Sequence, residues 1–209
     1  MKQFLLIIFI TLSIGFSASA QFAENNSLYL GFGPTVGNYS GLDLNFNYAI
    51  QRKWSAQIGI KSGIRGAKNK PDDFSGGILG ILSRGLTNPK DEITSYQFLV
   101  GKMILLEGEE GRFRLNLLTG PSINKFRNAV NFQRSTENGV IFGTYTFEME
   151  KDSGIGWMLK PTFEIPLGKV IGFGVSPYAN FNSKNMAYGL DLQVLIGILQ
   201  PSRQSKSRY

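Results

Sequence analysis

Seven charged side chains stand at alternate positions within otherwise apolar or small-residue stretches: Asp43, Lys61, Arg65, Arg114, Lys160, Glu164 and Asp191. Acids and bases on one face of a strand can pair with each other to fill an interior, or can line a selectivity or proton path. Two carboxylates can also share acid and base work, as in glycoside hydrolysis. The sequence contains no histidine, which removes Ser-His-Asp nucleophilic chemistry and histidine-based metal ligation. A Ser-Lys or carboxylate pair remains open on composition, but no spacing points to one. The acidic groups Glu107, Glu109, Glu110 and Asp72, Asp73 lack the ligand spacing of a calcium loop and read as solvated turns. No Gly-x-x-x-x-Gly-Lys-Ser/Thr pattern precedes a helix, so a phosphate-binding loop is not expected. No catalytic residue, metal or cofactor is assigned.

The elements that carry these charges alternate with period two, the mark of strands with unlike faces. Leu42, Leu44, Phe46, Tyr48 and Ile50 share one face against Asp43, Asn45, Asn47 and Ala49. Trp54, Ala56, Ile58, Ile60 and Ile64 likewise oppose Ser55, Gln57, Gly59, Lys61, Gly63 and Arg65. The pattern recurs over residues 112–123, 154–167, 170–181 and 188–198, and in the segment 28–36. An eighth segment, 94–106, has its phase blurred by Lys102, which a bulge near Gly101 would return to the polar face. The pairs Gly33-Pro34 and Gly120-Pro121, and Pro177, are expected at bulges near one rim, since proline lacks the ladder donor.

Eight such segments of about ten residues fit tilted strands crossing a bilayer. Tight turns at Gln51–Lys53, Glu107–Gly111 and Pro166–Lys169 alternate with longer connections, of which 66–93 and 125–153 are the largest. The reading is therefore an all-β, eight-stranded antiparallel up-and-down transmembrane barrel with both ends of the chain periplasmic. The main rival is a soluble lipocalin-like barrel carrying an apolar ligand inside. Face content favours the membrane form: the polar positions are largely Gly, Asn, Ser and Gln, which suit a narrow lumen, whereas a soluble exterior calls for Lys, Glu and Thr. Aromatic residues also fall near strand ends, Tyr48, Trp54 and Phe113 at one level and Trp157, Phe181 and Tyr188 at the other, like interfacial girdles. Within so narrow a barrel an ion-pair network is the expected role of the seven charges. A selectivity or proton path is the alternative.

Residues 1–20 divide off. Lys2 precedes an apolar run from Phe4 to Phe16, and Ala18 and Ala20 complete an A-x-A site, the layout of a cleavable signal peptide; a membrane anchor would need a longer run. The barrel is assigned to 21–199. Residues 200–209 form a basic tail with Arg203, Lys206 and Arg208, which accounts for much of the net charge of +7. Such a tail is solvated or anchors to anionic head groups. With no cysteine, the fold relies on pairing and burial alone.

The A-x-A-Q signal, the strand ends "GFGPTVG" (31–37) and "LTGPSIN" (118–124), and the turn before "RFRLNLLTG" resemble the outer-membrane β-barrel domain family of Gram-negative bacteria, small porin-like barrels. The resemblance spans Leu28 to Leu199 and implies fold and cell outer-membrane location. Such barrels commonly finish on a terminal aromatic, whereas here the last strand stops near Leu199 and the basic tail follows.

The first long connection is unusually apolar, with Phe74, Ile78, Leu79, Ile81, Leu82 and Leu86. It is expected to pack over the barrel mouth, to lie on the bilayer as a short helix, or to meet a partner. The second, with "NAVNFQRS" and "GVIFGTYTFEME", reads as a hairpin extending above the membrane. The expected contacts are outer-membrane lipid and a surface ligand or protein met by the loops. Nucleic acid is not expected, and the barrel is expected as a monomer. The reading is a non-enzymatic protein of surface binding or membrane integrity; a narrow pore is the further alternative.

Overall fold

A strand with one apolar and one polar face is satisfied when the sheet it joins separates two unlike media. The computed structural model shows that sheet closed on itself. It describes residues 26–82, 88–106, 113–135 and 143–199, apart from the side chains of 79–81, so the expected signal peptide and basic tail lie outside the described residues. The strands are β1 (Ser27–Gly37), β2 (Ser40–Ile50), β3 (Trp54–Gly66), β4 (Lys90–Leu105), β5 (Arg114–Arg134), β6 (Tyr145–Pro166), β7 (Ile171–Asn182) and β8 (Ala187–Ile198). A single short helix among the described residues, α1 (Gly77–Leu82), interrupts the β3–β4 connection. Every neighbouring pair is antiparallel and β1 pairs with β8, so the barrel has no open edge.

The faces sort as their alternation requires. On β2, Leu42 is 66% exposed while its neighbour Asp43 is 1% exposed, and the contrast repeats around the wall. Leu, Ile, Phe and Val cover the outside, with Trp54 and Phe113 near the tight-turn end and Trp157, Phe181 and Tyr188 toward the other. From Trp54 to Ile64 the exposed face of β3 runs about 33 Å along the strand, or about 25 Å of height at a tilt of ~40°, the depth of an outer-membrane hydrocarbon band. This is the arrangement of a transmembrane barrel and the inverse of a soluble carrier. Trp157 satisfies its indole N–H on the apolar face by donating to Thr119 Oγ1 at 2.8 Å.

The ends differ in construction. Gln51 (φ 50°) and Arg52 (φ 54°) are both left-handed, and Lys53 N–H donates to Ile50 O at 3.0 Å, making a two-residue primed hairpin turn. At the opposite end residues 67–89 join β3 to β4, and β5 and β6 continue far beyond the other strands. Most of the 125–153 connection is therefore strand, paired out to Arg134 opposite Tyr145.

Two expectations about strand irregularity fail. No bulge occurs near Gly101: β4 keeps constant register there with β3 and β5, and Lys102 points outward opposite Trp54 and Leu117. Sitting near the tight-turn end of the wall, its long side chain can carry the ammonium to the interface, which removes the need to turn it inward. Nor do the prolines mark bulges. Register runs unshifted past Pro34, Pro121 and Pro177, whose rings point outward and cost ladder bonds locally without displacing the strands. The register shift in the barrel lies instead between Val130 and Gln133, where Asn131 has φ 55°.

Candidate functional site

Closing eight strands leaves an interior filled by side chains. The small residues on the polar faces make the space: a Cβ on Gly156 would fall 2.6 Å from Asn180 Oδ1 and 2.7 Å from Asn124 Nδ2. At the centre, Lys160 Nζ lies 2.5 Å from Asp43 Oδ2 and 3.3 Å from Asp191 Oδ2, and Lys61 Nζ lies 2.7 Å from both oxygens of Asp191. These two lysines and two aspartates balance in charge. The remaining lone pairs of Asp43 are met by amides, with Gln193, Asn45 and Gln97 donating at 2.6, 2.8 and 3.1 Å. Lys61 Nζ also sits 3.0 Å from the centre of the Tyr178 ring.

The seven charges singled out in the sequence do not form one network. Asp43, Lys61, Lys160 and Asp191 make the central quartet. Arg114 and Glu164 form a second group toward the tight-turn end, 2.9 Å apart but off the N–H direction, so that the contact is ionic and poorly aligned. Tyr29 OH donates to Glu164 Oε1 at 2.5 Å, and Arg114 Nη1 donates to Leu199 O at 2.7 Å. Arg65 stands at the loop end and binds Asp91, with Nη2 3.0 Å from Oδ2. Asp91 also accepts from the backbone N–H groups of Lys68 and Ala129.

Asp91 was not among the expected charges, because β4 starts before the segment read as strand. The inward series Asp91, Ile93, Ser95, Gln97, Leu99 is legible once its phase is known, but inward Leu99 and outward Lys102 disguise that phase. Apolar clusters lie above and below the charges. Tyr39, Ile93, Phe126, Tyr178 and Ala187 pack at the loop end, and Tyr29, Leu195 and Leu199 at the other. An interior cavity beside Lys61 and Tyr178 measures about 10 Å3, room for about one water. A hydrated ion or an apolar ligand would not fit it.

Outside the membrane band the two long connections grip each other. Thr144 N–H donates to Ser75 O at 2.9 Å, and Ser75 N–H donates back to Thr144 Oγ1 at 2.9 Å. Tyr145 OH donates to Asp73 at 2.7 Å, and the Phe74 ring packs against Phe132 and Tyr145 with centroids 6.5 and 6.4 Å away. Phe74 thus anchors the apolar segment to the β5–β6 hairpin. Ile78 and Leu82 on α1 remain 48% and 74% exposed. The side chains of Leu79 and Ile81, and all of Leu86, lie outside the described residues.

No protein-family model matches the chain, and none of the curated proteins matches its sequence. Among solved structures the barrel is similar in general form to Ail, the attachment invasion locus protein of Yersinia pestis, at 11% identity and TM-score 0.49, covering 84% of this chain and 99% of that one. A structure of Ail in complex with the heparin analogue sucrose octasulfate gives 10% identity and TM-score 0.48 over 83% and 97% of the chains. The N-terminal β-barrel domain of Pseudomonas aeruginosa OprF gives 8% and 0.47 over 83% and 97%. Likenesses this distant say nothing of ligand or activity.

Proposed function

We propose that the protein is a non-enzymatic, monomeric integral barrel of the outer membrane whose work is done at the cell surface by the clasped loops, with both termini periplasmic. The observation that carries this reading is the clasp itself: Asp73, Phe74 and Ser75 hold the exposed apolar turn of α1 against the β5–β6 hairpin, outside the hydrocarbon band. An ordered apolar projection of this kind suits contact with a partner or shielding of the bilayer surface. The filled lumen supports a structural rather than conducting role for the interior charges, Asp91 included.

Location is tested by membrane fractionation with heat-modifiable gel migration; extraction in buffer without detergent would overturn it. Orientation has a direct readout, because the chain has no cysteine. A cysteine replacing Asn69 should react with a bulky impermeant maleimide on intact cells, and one replacing Gly168 only after the outer membrane is opened. The surface role is tested in a strain lacking the protein, complemented with wild type or with Ile78→Asp/Leu82→Asp. The variant should keep heat-modifiable migration yet fail to restore attachment or detergent resistance. Full complementation would place the work elsewhere. A narrow pore would show as discrete planar-bilayer conductance that changes on Lys61→Ala, whereas the filled interior predicts none from the wild type.

A further inference from the structure

The outer face of β4, β5 and β6 changes character abruptly along its height. Constant register sets its rows: Tyr96, Ile123 and Ile155 lie level, then Thr94, Lys125 and Ser153, then Glu92, Arg127 and Lys151. The lower row continues the apolar wall, while each step upward covers about 7 Å along the strands. Lys125, Arg127 and Lys151 are exposed on this face, around an open groove of about 430 Å3 that they line together with Phe126, Asp152 and Ser153; the Asp152 carboxylate there accepts the Ser153 N–H at 2.7 Å.

Arg127 stands directly opposite Lys151, a like-charge cross-strand pair that is destabilising unless something balances it. Glu92 answers for Arg127, at 3.2 Å. The acid adjacent to Lys151 in sequence, Asp152, is engaged by Lys184 at 2.8 Å. Among the described residues no carboxylate lies within ion-pair distance of Lys125 or Lys151. The Lys125 ammonium is instead steadied 5.4 Å from the Tyr96 ring centre.

Given the membrane-spanning reading on which it rests, we infer that Lys125, Lys151 and the Ser153 hydroxyl form a docking site for the phosphate of an anionic lipid in the outward-facing leaflet. Its acyl chains would run down over Ile123, Ile155 and Trp157. The site stands at the height where head groups begin, directly above apolar wall, and supplies two ammonium groups and a hydroxyl to the phosphate oxygens. A soluble anion would gain nothing from that wall, whereas a lipid is held by both parts.

The test uses the full chain with Trp54→Phe, leaving Trp157 as the one reporter of the two tryptophans. It is folded into vesicles of phosphatidylcholine containing either brominated phosphatidylglycerol or brominated phosphatidylcholine, whose bromines quench a neighbouring indole. Quenching should give the anionic lipid a relative association constant at least about fivefold higher, the scale of a single basic residue at a membrane surface where this site supplies two. Lys125→Gln/Lys151→Gln should bring the ratio near one, and Lys125→Arg/Lys151→Arg should preserve it. Lys53→Gln/Lys102→Gln, at the other end of the barrel, should leave it unchanged. A ratio near one in the parent, or a preference that survives the double glutamine variant or vanishes equally in the control, overturns the site while leaving the membrane reading intact. Absence of quenching by both brominated lipids overturns both.

Discussion

Lys160 and Lys184 each hold an aspartate at close range, Asp43 at 2.5 Å and Asp152 at 2.8 Å, yet the two pairs sit in opposite surroundings. Both members of the first pair are wholly buried in the lumen, whereas the second pair is 52% and 37% exposed at the loop end. Burial makes removal of one partner expensive, because the charge left behind has no water to turn to. Exposure makes the same removal nearly silent. A pair's position, more than its distance, decides what it contributes, and the barrel interior is where this protein has committed its charges.

The comparison is broken or sharpened by a graded series of variants. Lys160→Met leaves Asp43 and Asp191 facing one remaining lysine and should cost about 3–5 kcal/mol. Denaturant unfolding of the protein in lipid vesicles reads this, and adding Asp43→Asn should recover much of the loss by restoring charge balance with Lys61 and Asp191. A Lys160→Met barrel as stable as wild type would mean that water reaches the quartet. Arg65→Met comes next, at about 2 kcal/mol, because Asp91 keeps the N–H groups of Lys68 and Ala129 when the guanidinium is gone. Phe74→Ala should leave the barrel's unfolding midpoint unchanged while hydrogen exchange quickens at Phe132 and in residues 144–147, since it removes ring contacts that lie outside the wall. A drop in the global midpoint would instead tie the clasp to barrel stability.

The smallest effect is expected at Lys184. Its hydrogen bond to Asp152 holds the ammonium above the ordinary lysine range. Because the folded value is raised, any contribution to stability is present below the unfolded value of 10.5 and disappears as pH rises through the folded one. Asp152→Asn should return the ammonium to its ordinary titration in an NMR pH series without moving the unfolding midpoint at neutral pH. A clear shift of the midpoint would show that the rim pair is screened from water.

Much of the wall was legible along the chain. The alternation of Leu42, Leu44 and Phe46 with Asp43, Asn45 and Asn47 identifies two faces before any coordinates, and the charges on one face show which side cannot touch hydrocarbon. Reading failed where a local rule met a tertiary exception. Lys102 looked misplaced because its distance from the interface is a property of the whole barrel, and Pro34, Pro121 and Pro177 looked like bulges because ladder loss was equated with displacement. Asp91 was missed for a different reason, being part of a run of charges, Lys90, Asp91 and Glu92, that resembles a solvated turn until pairing with β3 shows it to be strand.

Sequence alone determined which side chains share a face, since a strand's two-residue repeat is set by backbone geometry and needs no partner to define it. Only the tertiary structure decided which charges meet. Lys61 finds Asp191 130 positions away, and Lys160 finds Asp43 117 positions away, by reaching across the lumen from different walls. The physical reason is closure: the width and stagger of an eight-stranded cylinder fix which ends of long side chains coincide, and neither quantity is written in any single strand.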